Sequence, residues 1–235
     1  LEIEPSEKAE PLTLATPGSH CPSCKTPIKP WHNIPIVSWL TLRGKCNSCG
    51  ASICARYPLV ELATALLSVA VASQFEFGAA QGLALVATWA LIVLTMIDAD
   101  HQLLPDDITL PLLWLGLIAN AFGIFTDLAS AVWGAVCGYG SLWSVYWAFK
   151  LTTGKEGMGY GDFKLLAALG AWLGWQSLPM IILMSSLIGA IIGITMMALS
   201  KLGRGQPMPF GPYLAIAGWL SLVFGDTIQR LSPYF

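Results

Sequence analysis

The chain has 235 residues, 55% of them hydrophobic and only 11% charged, with ten Trp and a mean hydropathy of +0.64. That length would allow a soluble core, but the balance lies far outside the soluble average and marks an integral membrane protein. The formal net charge of −2, with no basic run of the kind that grips a phosphate backbone, argues against a nucleic-acid partner.

The chain opens with Leu1, and LEIEPSEKAEPLTLATPGS is polar, Pro-containing and unlike a signal peptide. It reads as a fragment of a longer protein with sequence upstream. Residues 1–56 are predicted to form a cytoplasmic region. They contain Cys21 and Cys24 in CPSC and Cys46 and Cys49 in CNSC, separated by 21 residues. On the reducing side of a membrane four thiols so spaced predict a four-thiolate structural Zn2+ site, since each C-x2-C turn aims two sulfurs at one tetrahedral ion. Disulfides are the alternative, and they need the oxidising side. Cys54 and Cys137 are left over as unliganded thiols. His20 could add a ligand beside Cys21, but a surface histidine is the preferred reading, and His32 has no partner at ligand spacing. WHNIPIVSWL, between the two pairs, reads as apolar packing around the metal or against the membrane surface.

Seven apolar stretches follow, at 58–77, 79–97, 107–124, 128–149, 163–175, 178–199 and 211–229. Most approach the ~20 residues that a helix needs to cross ~30 Å of hydrocarbon. The stretch 163–175 is shorter and begins right after Asp162. The predicted fold is an all-α polytopic membrane protein with about seven transmembrane helices in 57–235, plus the small N-terminal zinc module. Cationic loops stay in the cytoplasm. Lys8, Lys25, Lys29, Arg43, Lys45 and Arg56 precede the first stretch, Lys150, Lys155 and Lys164 flank the loop after the fourth, and Lys201 and Arg204 follow the sixth. Arg230 alone falls on the other side. Asp98, the 150–162 loop and the 200–211 loop are thereby assigned to the cytoplasmic face.

Ionisable groups near the bilayer are expensive and point to function. Asp98, Asp100, Asp106 and Asp107 occur in MIDADHQLLPDD, and Asp162 sits in GMGYGDFK at the edge of the short stretch. Two carboxylates brought together can share a proton, one acting as base on water and the other as acid toward a carbonyl, which is the chemistry of aspartic peptide hydrolysis. Asp98 continues its apolar stretch and is the more buried candidate by pattern than Asp100. Asp106 or Asp107 is most simply a helix N-cap, and Asp162 could cap FKLLAALGAW. Gly157, Gly159 and Gly161, which allow positive φ and close backbone approach, favour the functional reading of Asp162. Glu61 reads as structural, pairing with Arg56 or snorkelling to the interface. PMPFGP, with Pro207, Pro209 and Pro212, is either a wall of the site or a stop and start between helices. Helix ends alone give the shared proton to Asp98, at a C-terminal end, and the charge to Asp162, at an N-terminal one. A proton-coupled transporter with a zinc-stabilised docking module is the rival function, but it would place acids near the midplane and break helices in corresponding halves. A zinc-tethered assembly scaffold would need neither aspartate.

Five stretches carry a family resemblance: CPSC…CNSC, RYPLVEL (56–62), IDADHQLLPD (97–106), GMGYGDFKLL (157–166) and PFGPYLA (209–215). Over essentially all its length the chain resembles the bacterial type IV prepilin peptidases, the GxGD class of membrane aspartic proteases. The resemblance implies Asp98 and Asp162 as the catalytic pair, with Gly159 and Gly161 in the supporting loop. It implies cleavage of the leader from prepilins and type II secretion pseudopilins, after a Gly, at the cytoplasmic face of the bacterial inner membrane. It further implies N-methylation of the new N-terminus with S-adenosylmethionine. The chain shows no G-x-G-x-x-G loop or other methyl-donor motif, so methylation and its donor rest on the resemblance alone. The resemblance implies eight membrane helices, as members of that family typically have, and the first is expected to be the one missing from this fragment.

Overall fold

The computed structural model describes residues 18–155, 157–199 and 209–231, with side chains as far as residue 225 in the last stretch. The segment 1–17 with Lys8, and Lys201, Arg204 and Pro207, lie outside the described residues, as does the side chain of Arg230. The described helices are α1 (Val37–Thr41), α2 (Arg56–Gln74), α3 (Ala79–His101), α4 (Asp106–Ala121), α5 (Leu128–Thr153), α6 (Tyr160–Leu173), α7 (Leu178–Ala198) and α8 (Gly211–Leu231). Among the described residues, extended pairing is confined to two isolated bridges. Each of the seven apolar stretches coincides with one helix from α2 to α8. α3 and α5 each run four residues past the C-terminal end of their stretch, because polarity does not end a helix. α3 continues through Asp98 to the left-handed Gln102 (φ 52°), and α5 continues to the left-handed Gly154 (φ 71°). Among the described residues, three helical segments, Arg56–Gln74, Ala79–His101 and Trp175–Ala198, are long and apolar enough to cross a membrane. The chain is all-helical with the character of a membrane protein, and it forms two compact units, Leu1–Leu66 and Leu67–Phe235.

In the first unit the two cysteine pairs sit on the same turn, made twice. The N–H of Cys21 donates to Thr26 O and that of Lys25 to Cys21 O, at 3.0 and 2.8 Å. The N–H of Cys46 donates to Ala51 O and that of Gly50 to Cys46 O, at 2.8 and 2.9 Å. Each turn closes through a left-handed residue, Lys25 (φ 57°) or Gly50 (φ 71°). Between the turns, Trp39 lies against Gly44 and donates its ring N–H to Ile53 O at 3.1 Å. Ile36 has φ 61°, a genuine outlier for a β-branched residue, and its N–H donates to Glu61 Oε2 at 2.7 Å. Glu61 thus fastens backbone, a role that the sequence reading did not foresee.

The second unit is built around α6. Every residue from Leu165 to Trp172 is buried, against α4, α5 and α8. A helix apolar all round must be sheathed by protein, which accounts for its 14 residues, ~21 Å at 1.5 Å per residue. α5 approaches it through glycines. A Cβ on Gly134 would overlap the backbone of Gly170, and the reverse holds, while a Cβ on Gly138 would lie 2.7 Å from Leu166 O. Such close backbone contact is how helices associate where apolar surroundings remove the hydrophobic drive. The loop end of α6 is locked by Asn120, buried in α4, which donates to the carbonyls of Ala171 and Trp172 at 2.8 and 3.0 Å and accepts from Phe125 and Thr126 N–H at 3.0 Å.

Candidate active site

Three helix ends meet at one edge of the second unit. Asp98 lies in the last turn of α3 and is only 5% exposed, whereas Asp100 is exposed. Gln102 closes that turn by donating its N–H to Asp98 O at 2.9 Å. Asp162 is the third residue of α6 and 7% exposed. Gly159, not Asp162, is the N-cap. α8 begins at Gly211, whose N–H donates to Asp98 Oδ2 at 3.0 Å.

Leu104, buried in the turn after α3, joins these ends. A Cβ on Gly161 would lie 2.8 Å from Leu104 Cβ, and one on Gly211 would lie 3.1 Å from Leu104 Cδ1 and 2.6 Å from Asp98 Oδ2. Both glycines are therefore places where a side chain has no room. Through Leu104, Gly161 beside Asp162 and Gly211, which bonds Asp98, are brought side by side. Rings of Tyr146, Tyr160 and Phe163, with centroids 5.3 to 5.7 Å apart, brace the first turn of α6.

The remaining acids stand apart from this pair. The expectation that Asp106 or Asp107 supplies an N-cap is not met, because both occupy the first turn of α4, whose N-cap is Pro105 without a side-chain bond. Asp106 instead accepts Lys164 Nζ on both oxygens at 2.7 Å, tying α4 to α6. At a partly exposed site that ion pair contributes at most about 1 kcal/mol. None of Gly157, Gly159 and Gly161 uses positive φ. Close approach is what Gly157 and Gly161 provide, Gly157 against the ring of Phe149 and Gly161 against Leu104.

In the first unit, the sulfurs of Cys21, Cys24, Cys46 and Cys49 all lie within 4.8 Å of one another, and all four thiols are free. Cys21 Sγ and Cys49 Sγ are 3.9 Å apart. A tetrahedron with metal–sulfur bonds of ~2.3 Å has edges of ~3.8 Å, so this donor set fits a four-thiolate ion. His20 is outside the cluster, with Nδ1 3.0 Å from Gly18 O, and His32 packs edge-on to Trp31.

Family comparison places this geometry in context. Residues 85–194 match the type IV leader peptidase family, and residues 6–75 match the bacterial peptidase A24 N-terminal domain. A prepilin leader peptidase/N-methyltransferase of Pseudomonas aeruginosa is 62% identical over 98% of this chain and 79% of its own length. The chain belongs to the type IV leader peptidase family. Proteins of the same name from Stutzerimonas stutzeri and Aeromonas hydrophila are 59% and 60% identical, over 97% and 94% of this chain and 79% and 76% of theirs. No solved structure matches the chain. The transporter alternative finds no support in these leader peptidase relatives.

The leader peptidase match spans α3 to α7 and so includes both Asp98 and Asp162, while the N-terminal match includes all four clustered cysteines. Leu104 and Gly211 lie at the centre of the site and were not singled out from the sequence. PFGP carries the only sequence signal for Gly211, a glycine set just before a proline at a helix start.

Proposed function

We propose that the chain is a membrane aspartic endopeptidase that removes the leader from type IV prepilins and type II secretion pseudopilins and then N-methylates the new N-terminus. The observation that carries this reading is the pair of nearly buried carboxylates, Asp98 and Asp162, at ends of α3 and α6 that Leu104 and Gly211 join. Like charges so placed cannot both ionise, so the pair holds one proton and can serve as base and acid at once. Helix ends favour leaving the proton on Asp98 by roughly 0.3–1 kcal/mol. The Gly211 N–H opposes that, since a buried hydrogen bond to a charged group is worth about 1.5–3 kcal/mol. The larger effect prevails, which reverses the assignment from helix ends alone. Asp98 takes a proton from the attacking water, and Asp162 donates one to the scissile carbonyl oxygen. As the tetrahedral intermediate collapses and its C–N bond breaks, the proton gathered by Asp98 passes to the departing amine, and Asp162 takes back the proton of one diol hydroxyl as the carbonyl re-forms.

Gly211→Ala tests the donor. Its Cβ would press on Asp98 Oδ2 and turn the N–H away, so leader cleavage should fall about 10- to 100-fold, the worth of one charge-assisted bond, in a protein that still folds but melts somewhat earlier. Wild-type turnover in that variant would show that the bond does not matter to the reaction.

The spanning arrangement we propose is seven crossings by α2 to α8, with the N-terminal region, the site and the 150–162 loop at the cytoplasmic face of the inner membrane. The Lys and Arg distribution supports that orientation. Cys21, Cys24, Cys46 and Cys49 would hold a structural Zn2+, which leaves no open coordination position for chemistry. Elemental analysis should find one zinc per chain, and none in the Cys46→Ser, Cys49→Ser double variant. Full zinc in that variant would exclude these ligands. When bound, S-adenosylmethionine would supply the methyl group, and no residue is assigned to it. Purified protein incubated with a prepilin should shorten it by the mass of its leader. An intact prepilin would refute the peptidase reading.

A further inference from the structure

The residues between the cysteine pairs expose large apolar side chains at every third position. Trp31, Ile34, Val37 and Leu40 are 61%, 47%, 52% and 62% exposed. Ser38 N–H bonds Ile34 O, which carries the chain from Ile34 through the left-handed Ile36 into α1. The opposite side is closed: Ser38 is buried, donates to Trp31 O and accepts from Ile34 N–H, both at 3.0 Å, while Trp39 turns inward to Ile53. The exposed side is therefore held rigidly outward and is not a failed core.

Two observations say what covers it. The first is depth. Ile36, in the middle of the stripe, is bonded to Glu61, five residues into α2, a helix long and apolar enough to cross a membrane. Five residues of helix rise only about 7.5 Å, so the stripe lies level with the first turns of a span, where headgroups give way to acyl chains. The second is charge. Lys29 lies 5.5 Å above the Trp31 ring at one end of the stripe, and the exposed Arg43 continues its three-residue spacing at the other. Within residues 18–66 the cations are Lys25, Lys29, Arg43, Lys45 and Arg56, against one acid, Glu61, already engaged by Ile36. Apolar and aromatic side chains between cations suit an anionic lipid surface.

We infer that Trp31, Ile34, Val37 and Leu40 insert into the cytoplasmic lipid surface and fasten the cysteine-cluster unit to the bilayer. This goes beyond the peptidase reading and depends only on α2 being a span. A rigid apolar stripe at that depth fixes the height of the unit as well as its attachment.

The test uses the whole protein reconstituted in vesicles with anionic lipid, half of the preparations made with lipids brominated near the headgroup. Subtracting the fluorescence of Trp31→Phe from that of the wild type isolates Trp31. The isolated signal should be blue-shifted from that of a water-exposed indole and should lose most of its intensity in the brominated vesicles. Trp39→Phe, treated alike, should report a signal that the bromines barely touch. If Trp31→Phe does not fold, Leu40→Trp supplies the same reading from the far end of the stripe. Red-shifted emission without quenching would place the stripe in water, and blue-shifted emission without quenching would place it against protein. Either overturns the proposal.

Discussion

Asp98→Asn and Asp162→Asn should each reduce leader cleavage by on the order of 10^4-fold while leaving the protein folded, because removing either half of an acid and base unit disables the whole. Folding should survive, since the amide is isosteric with the carboxyl group and its oxygen, at position 98, can still accept the Gly211 N–H. Asp100→Asn and Asp107→Asn, at exposed positions, should retain near wild-type rates. Asp106→Asn loses its ion pair with Lys164 and should cost only a small fraction of the stability and leave cleavage measurable. A prepilin processing assay resolves the contrast directly. Full activity in either of the first two variants would remove that residue from the chemistry.

Gly170→Val should prevent the second unit from assembling. Overpacking costs typically 1–3 kcal/mol when neighbouring side chains can move aside. Here the obstacle is the backbone of Gly134 in α5, which has no rotamer to change. The cost should therefore exceed about 3 kcal/mol, a large part of the 5–15 kcal/mol that holds a typical domain. Gly140→Ala, on the same α5 but facing open space, is the matched control and should be tolerated or slightly stabilising. Thermal unfolding in detergent should show an early transition or aggregation for Gly170→Val alone. Equal stability for the two variants would mean that α5 and α6 do not meet through these glycines.

The contrast between Asp98 and Asp100 was legible because burial follows local pattern: Asp98 continues the apolar stretch and Asp100 does not. The two cysteine pairs were legible for a similar reason, each turn being complete within six residues. The beginning of α6 was not. Tyr160 and Gly161 carry no helical periodicity, so the apolar pattern predicts a helix only after Asp162, whereas it starts two residues before. Gly211 was illegible for a different reason. It acts through a backbone N–H on a carboxylate 113 residues away, and no local composition encodes that partner. Leu104 likewise looks like one more leucine in HQLLP until α6 and α8 are set on either side of it. Glu61 shows the same limit, because no local pattern in the sequence announces its bond to the strained N–H of Ile36, 25 residues away.

In the proposed mechanism Asp98 and Asp162 act as one unit holding a single proton. Such a coupled pair titrates with constants that belong to both groups, so a pH–rate profile cannot apportion them. Infrared difference spectra of the substrate-free protein at neutral pH can, because a protonated carboxyl absorbs apart from a carboxylate. The wild type should show a protonated-carboxyl band that disappears in Asp162→Asn and shifts in Asp98→Asn, where its partner is lost. A band that neither replacement disturbs, or its absence from the wild type, would contradict the shared proton.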